Sequence, residues 1–290
     1  MAFFNASFHN HSVLSPCADI TMTPEIYIQK LTCAGIDWIA LTDHNSCRNT
    51  RVFGRLLSEH GIQVIPGIEV QTKEEIHVLF YFSSYDELEE FSEYVEERVI
   101  IRDYDPEKLG YQIELNQEGE FSVILSCPYL GSACDLSLED AVIAARKYNS
   151  LCVPAHIFRS FGLITQLGIP PEIEFDGVEV KNPAELEAAK KMGFSRFLYG
   201  MDAHTPDELR TIAYRGIRAS LVGQILVEES VLGWEELELE VVRDAKNQMI
   251  TVCFIENIDA IGVHTGDSFC AAPMLTISRE LQERLQKYAY

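Results

Sequence analysis

The sequence predicts an α/β fold, in which a parallel sheet, open or closed into a barrel, is followed by a small α+β segment of different pattern. Three observations predict it. From Ala2 to about Ala213 short apolar runs alternate with helical patterns. Histidines and carboxylates gather where those runs end. From about Ala219 the alternation gives way to longer mixed runs and a terminal helix.

The first run lies around Phe4 to Phe8 and reads as a strand. Thr23-Pro24-Glu25 then starts a helix reaching Ala34, with Thr as N-cap and Pro at the first helical position. WIALT (38–42) is the next strand, Thr50 to His60 a helix, VIPGIEV (64–70) and HVLFYF (77–82) two further strands, and Tyr85 to Val99 a helix. Between Asp103 and Gly131 the rhythm breaks: YQIELNQEGEFSVIL reads as a β-hairpin turning near Gln117 to Gly119, an insertion over about 103–131. Ser137 to Tyr148 resumes the helical pattern, followed by LCVPAH (151–156), GVEVK (177–181), a helix from Ala184 to Met192, and FLYGMD (197–202). Beyond it come ILVEES, then ELELEVVRD and MITVCFIENI joined by DAKNQ as an antiparallel pair, then the helical ISRELQERLQKYAY. The chain therefore divides into residues 1–217 and 218–290.

Composition narrows the function. With 290 residues, 47% hydrophobic and 23% charged, the chain can bury a sizeable core. Its 45 acidic against 23 basic residues give a formal charge of −22, which disfavours long nucleic acid and anionic membranes as partners. Any phosphate must be met by local positive charge, such as bound metal. The chain has no long apolar run, and its start lacks the basic region and apolar core of a signal peptide, so a cytoplasmic location is expected. Eight cysteines without a C-x-x-C pair argue against a disulfide framework or a zinc ribbon.

His9 and His11 lie two residues apart at the end of the first strand, a spacing that aims both imidazoles to one face. Thr42-Asp43-His44 ends the second strand, Glu69 lies in the third, His77 opens the fourth, His156 closes a later one, and Asp202-Ala203-His204 ends the last. Of the eight histidines only His60 and His264 fall outside this pattern. Strand ends of an α/β sheet share a cleft, so the cluster points to a metal site.

These motifs resemble the PHP (polymerase and histidinol phosphatase) domain family of metal-dependent phosphoesterases. FHNHS, ALTDHNS, PGIEV, HVLFYF, PAHIFR and MDAH occur in that family's order and cover about residues 1–215. The resemblance implies a distorted (β/α)7 barrel with two or three metals at the carboxyl ends of its strands. It implies one metal on His9, His11, Glu69 and Asp202, and a second sharing Glu69 and adding His77 and His156. A third would use His44 and His204, completed by Cys17 as the preferred ligand or by Asp19, Pro16 being unable to ligate. Cys17 is equally readable as a small buried residue in a turn. Mixed imidazole and carboxylate donors suit Zn, Mn or Fe better than Mg or Ca.

Asp43 either orients His44 or caps the following helix. Arg159, three residues beyond His156, is the best candidate for a forked donor to substrate phosphate, its bland alternative being a surface ion pair. Lys181 is a weaker candidate for the same role.

The tail carries a second resemblance. Residues 225–273, and above all IENIDAIGVHTGDS, look like an internal piece of the ATP-grasp domain of the carbamoyl-phosphate synthase large subunit. The resemblance implies nucleotide contacts at Glu229, Val231, Leu232, Glu236, Gly262, Val263 and His264. An ATP-grasp site closes between two subdomains, and sequence of the other resemblance stands where the first should be, so a truncated fragment is expected. Its uncovered faces predict homo-oligomerisation through the tail, or disorder of it. The expected function is hydrolysis of a small phosphomonoester or nucleotide-like phosphoester by a metal-activated water. The alternatives are a noncatalytic metal-binding module and a nucleotide-binding or synthase-related role through the tail.

Overall fold

The structure is a computed structural model that describes residues 6–200, 202–209, 237–246, 248–258 and 270–289. It separates into two compact units, Met1–Leu226 and Val227–Tyr290.

The first unit runs β1 (Ala6–Ser7), α1 (Pro24–Ala34), β2 (Trp38–Leu41), α2 (Thr50–Ser58), β3 (Gln63–Gln71), β4 (His77–Tyr81), α3 (Tyr85–Glu96), α4 (Pro106–Leu109), β5 (Ile113–Leu115), β6 (Phe121–Ile124), α5 (Leu138–Arg146), β7 (Leu151–Pro154), α6 (Leu163–Leu167), β8 (Val178–Val180), α7 (Pro183–Lys191) and β9 (Phe197–Tyr199). Five strands form one sheet in the order β1-β2-β3-β4-β7, and β8 pairs with β9. The edges of the two sheets are tied together. Asp176 N–H donates to Cys152 O at 2.9 Å and Ile157 N–H to Glu179 O at 3.3 Å, joining β7 to β8. His11 N–H donates to Ala203 O at 3.0 Å and Ala203 N–H to His9 O at 3.3 Å, joining the end of β9 to the end of β1. The sheet is thereby curled, as the distorted barrel requires.

The expectation of a parallel sheet throughout is corrected at β4. It runs antiparallel to both β3 and β7, while β1, β2 and β3 run parallel. The reason is chain length: only Thr72–Ile76 separate β3 from β4, and a parallel crossover needs about a dozen residues or more. This reversal decides where His77 lies. Because β4 points the other way, its first residue pairs with Gln71 at the last position of β3, the end where the neighbouring strands finish.

Helices pack one face against the sheet. In α1 the buried residues are Pro24, Tyr27 and Leu31, three to four apart, and Gly35 in the left-handed region (φ 65°) closes the helix. Thr23 takes the extended N-cap backbone but makes no side-chain capping bond. Phe80 and Phe91 meet edge to face at 5.3 Å in one core cluster, and Tyr27 and Phe53 at 5.0 Å in the other. Each such fully buried ring contributes roughly 1.5–3 kcal/mol. Over 103–131, β5 and β6 form an antiparallel hairpin whose turn is held by Asn116 Oδ1 accepting from Glu118 and Glu120 N–H, with Gly119 at φ 83°.

In the second unit β10 (Leu237–Arg243) and β11 (Met249–Asn257) form an antiparallel pair, β12 (Cys270–Ala271) extends it, and a terminal helix spans Arg279–Ala289. No helix among the described residues is long and apolar enough to cross a membrane. The cysteines form no disulfide.

Candidate metal centre

Glu69 is the hub. It sits in the last turn of the pleat of β3, fully buried, where a parallel bridge to His44 brings the end of β2 alongside. Five imidazoles approach its carboxylate: His77 Nδ1 at 3.0 Å, His44 Nδ1 at 3.1 Å, His9 and His11 Nε2 at 3.3 Å, and His156 Nε2 at 3.5 Å. Asp202 completes the ring opposite, its Oδ1 at 3.2 Å from His11 Nε2, 3.3 Å from His9 Nε2 and 3.4 Å from His204 Nδ1. Asp202 (φ 58°) and His156 (φ 29°) both occupy the left-handed backbone region, a strain that packing must hold in place.

The donor atoms fit a cation better than one another. Both oxygens of Glu69, with His44 Nδ1 and His77 Nδ1, are buried and make no hydrogen bond, although the nitrogens are within 3.1 Å. His9 and His11 bring their Nε2 atoms to 3.2 Å of each other, while the Nδ1 of each is committed elsewhere. His9 Nδ1 faces the Glu179 carboxylate at 2.9 Å and His11 Nδ1 faces the Ser15 hydroxyl at 2.9 Å. Three sets of donors lie within 4.8 Å: His9, His11, Glu69 and Asp202; His44, Glu69 and His77; and His11, His44 and His204. Soft and hard donors mixed in this way suit a transition metal.

Charge follows the same geometry. Burial alone would raise Glu69, but His9, His77 and His44 outweigh it and hold the carboxyl well below its ordinary range. Asp202 is likewise held down by His9 and His11 against its burial. Burial would lower His9, yet Glu179, Glu69 and Asp202 keep it well above the usual imidazole value, and Asp202 and Glu69 raise His11 to about 9 against the same burial. Burial pushes His44 well down, and burial with the neighbouring His11 takes His204 down to about 4.

Several expected residues stand differently. The structure gathers His9, His11, His44, Glu69, His77, Asp202 and His204 into the three donor sets, whereas His156 reaches Glu69 without joining one. Cys17 is exposed and belongs to none of them; His11 completes the set of His44 and His204 in its place. The Asp19 carboxylate is occupied by Thr21 N–H and hydroxyl at 2.8 and 2.5 Å. Asp43 neither orients His44 directly nor caps a helix. It accepts from Ser12 N–H, Ser12 Oγ and Ser15 Oγ, each at 2.7 Å. Ser15, its hydrogen given to Asp43, accepts from His11 Nδ1 and from His44 N–H at 3.1 Å, so Asp43 reaches both ligands through one hydroxyl. Arg159 Nη1 lies 3.7 Å from Asp202 Oδ2, and its Nε and Nη2 are buried without a partner. Lys181 is exposed, and only its backbone N–H is engaged, by Glu185. Glu229, Val231, Leu232, Glu236, Gly262, Val263 and His264 lie outside the described residues. Sequence reasoning missed Ser12 and Ser15 and gave Glu179 no role; the one signal for Glu179 is a carboxylate between two valines in a short apolar strand.

Known proteins match the two parts separately. The family model of the PHP domain matches residues 7–153, and that of the carbamoyl-phosphate synthase L chain ATP binding domain matches residues 187–290. The second match begins within α7 and includes Asp202 and His204, which the fold nevertheless places beside His9 and His11. Carbamoyl phosphate synthase large chains of Thermomicrobium roseum and Clostridium acetobutylicum are similar, 53% identical over 87 residues and 57% over 76. Those stretches cover 30% and 26% of this chain but only 8% and 7% of the synthases, so the chain spans a small fraction of their length. Among solved structures, the lesion-specific endonuclease PfuEndoQ from Pyrococcus furiosus aligns with a TM-score of 0.52 at 19% identity, covering 71% of this chain and 50% of that one. At that identity the likeness concerns the fold. With the donor sets at the strand ends and the PHP model matching half of its length, the chain belongs to the PHP domain family.

Proposed function

We propose that this chain is a metal-dependent phosphoesterase acting on a small phosphomonoester or nucleotide-like phosphoester. The observation that carries it is Glu69, whose two buried, unpaired oxygens are met by five imidazoles. His9, His11, Glu69 and Asp202 would hold one metal and Glu69 with His77 a second beside His156, which leaves His44 and His204 for a third, with Zn, Mn or Fe as the expected ions. Divalent metals bound there lower the pKa of water from about 15.7 towards about 7 and offset charge on a phosphoryl transition state.

The chain's own groups supply orientation and an anion receptor. Glu179 and Ser15 hold the Nδ1 atoms of His9 and His11, which aims both Nε2 lone pairs at the centre. Arg159 offers buried N–H groups with no acceptor among the described residues, the arrangement a phosphate oxygen would complete. The formal charge of −22 favours a small phosphorylated substrate over long nucleic acid or an anionic membrane. In this reading residues 1–217 carry the activity and 218–290 are a synthase-like fragment. The test is a screen of nucleotides and sugar phosphates with Mn, Zn or Fe: turnover that Asp202→Ala abolishes supports the reading, and protein that binds metal yet cleaves no phosphoester leaves a noncatalytic metal module.

A further inference from the structure

Glu179 is fully buried on β8 between buried Val178 and Val180. Its Oε1 and Oε2 lie 2.9 and 3.1 Å from His9 Nδ1, and Oε2 also accepts from the backbone N–H of His156 at 2.7 Å. Among the described residues its ion-pair partner is His9, with no lysine or arginine in range. The space it fills is made by a missing side chain: a Cβ at Gly200, at the end of β9, would overlap Glu179 Oε1. The carboxylate therefore spans both seams where the curled sheet lacks a regular ladder, reaching β1's end through His9 and β7's end through His156.

We propose that Glu179 is the positioning residue of the metal centre. A carboxylate only accepts, so the His9 nitrogen facing it carries the hydrogen, which leaves Nε2 as the atom that would give its lone pair to a metal held with Glu69 and Asp202. The same carboxylate fixes the backbone of His156, so one buried group sets ligands on two sides of Glu69. Its role is separate from that of Ser15, which holds His11 through a neutral hydroxyl.

The proposal rests on the metal-centre reading, and the experiment separates the two. Zinc is titrated into wild type and Glu179→Gln in competition with a chelator, and both metal-free proteins are melted in EDTA. The expected result is zinc affinity about 10–100-fold weaker in Glu179→Gln, with a metal-free melting temperature close to wild type. Equal zinc affinity in the two proteins overturns the proposal while leaving the metal centre standing; wild type that binds no zinc overturns the metal-centre reading itself. A measurement on zinc-loaded wild type stands independently of how the variant folds: imidazole nitrogen NMR should show His9 protonated at Nδ1 and metal-bound through Nε2. The opposite tautomer overturns the proposal.

Discussion

The two units of this chain bury different things. In the first, polar groups go inward together: His9, His11, Asp43, His44, Glu69, His77, His156 and Glu179 are all buried, each beside groups that answer its charge or hydrogen. In the second, the buried side chains among the described residues are Met274 and Glu256, the latter accepting from Thr276 N–H and Oγ1, while Val242, Ile250 and Val252 stay more than half exposed. Yet residues 187–290, which contain the second unit, match the synthase ATP binding domain, and synthase large chains match this chain at about half identity. The synthase likeness thus runs across both units, while the donor sets lie in the first.

The largest expected effect breaks the first unit at its hub. Glu69→Gln removes the charge shared by two of the three donor sets, so bound metal and phosphoesterase activity should both fall to background, read by elemental analysis and phosphate release. Arg159→Ala should leave metal content unchanged and lower kcat/KM by about 10–100-fold, the worth of a charge-assisted hydrogen bond or two, with Arg159→Lys recovering part. If Arg159→Ala instead lowers metal content, its place beside Asp202 is structural.

Acidity gives a smaller, graded effect with a definite sign. Against their burial, nearby carboxylates raise His9 and His11 in the metal-free protein, so a metal binding there competes with protons. Affinity should climb with pH up to about 9 and weaken on acidification, by up to about tenfold per pH unit for each proton released. Calorimetry in buffers of different ionisation enthalpy checks it; affinity independent of pH contradicts it. The smallest effect belongs to the second unit: deleting residues 237–290 should change metal content and phosphoester turnover by less than about twofold, because every residue of the donor sets lies in the first unit.

Much of the centre was legible because two periodicities expose it. The helix and strand rhythm marks strand ends, and the period of two aims His9 and His11 together. What was not legible depended on reversals of the chain. His77 is at the right end because five residues are too few for a crossover, which turns β4 around. Asp43 reads as a neighbour of His44, but a tight turn, Ser15 N–H to Ser12 O, folds two hydroxyls back onto it. Cys17 stands in a ligand-like position along the sequence, yet it is exposed and joins none of the donor sets among the described residues. Glu179 acquires its meaning from His9, 170 residues away. A glutamate between valines carries no mark of such a partner, and Gly200 no mark of the oxygen it makes room for.

The most direct test of the central claim is the metal content of protein purified without chelators, read together with the same measurement on Glu69→Gln. About two or more equivalents of Mn, Zn or Fe per wild-type chain, lost in the variant, is the predicted result. Less than one equivalent in wild type, or equal content in both proteins, would contradict it.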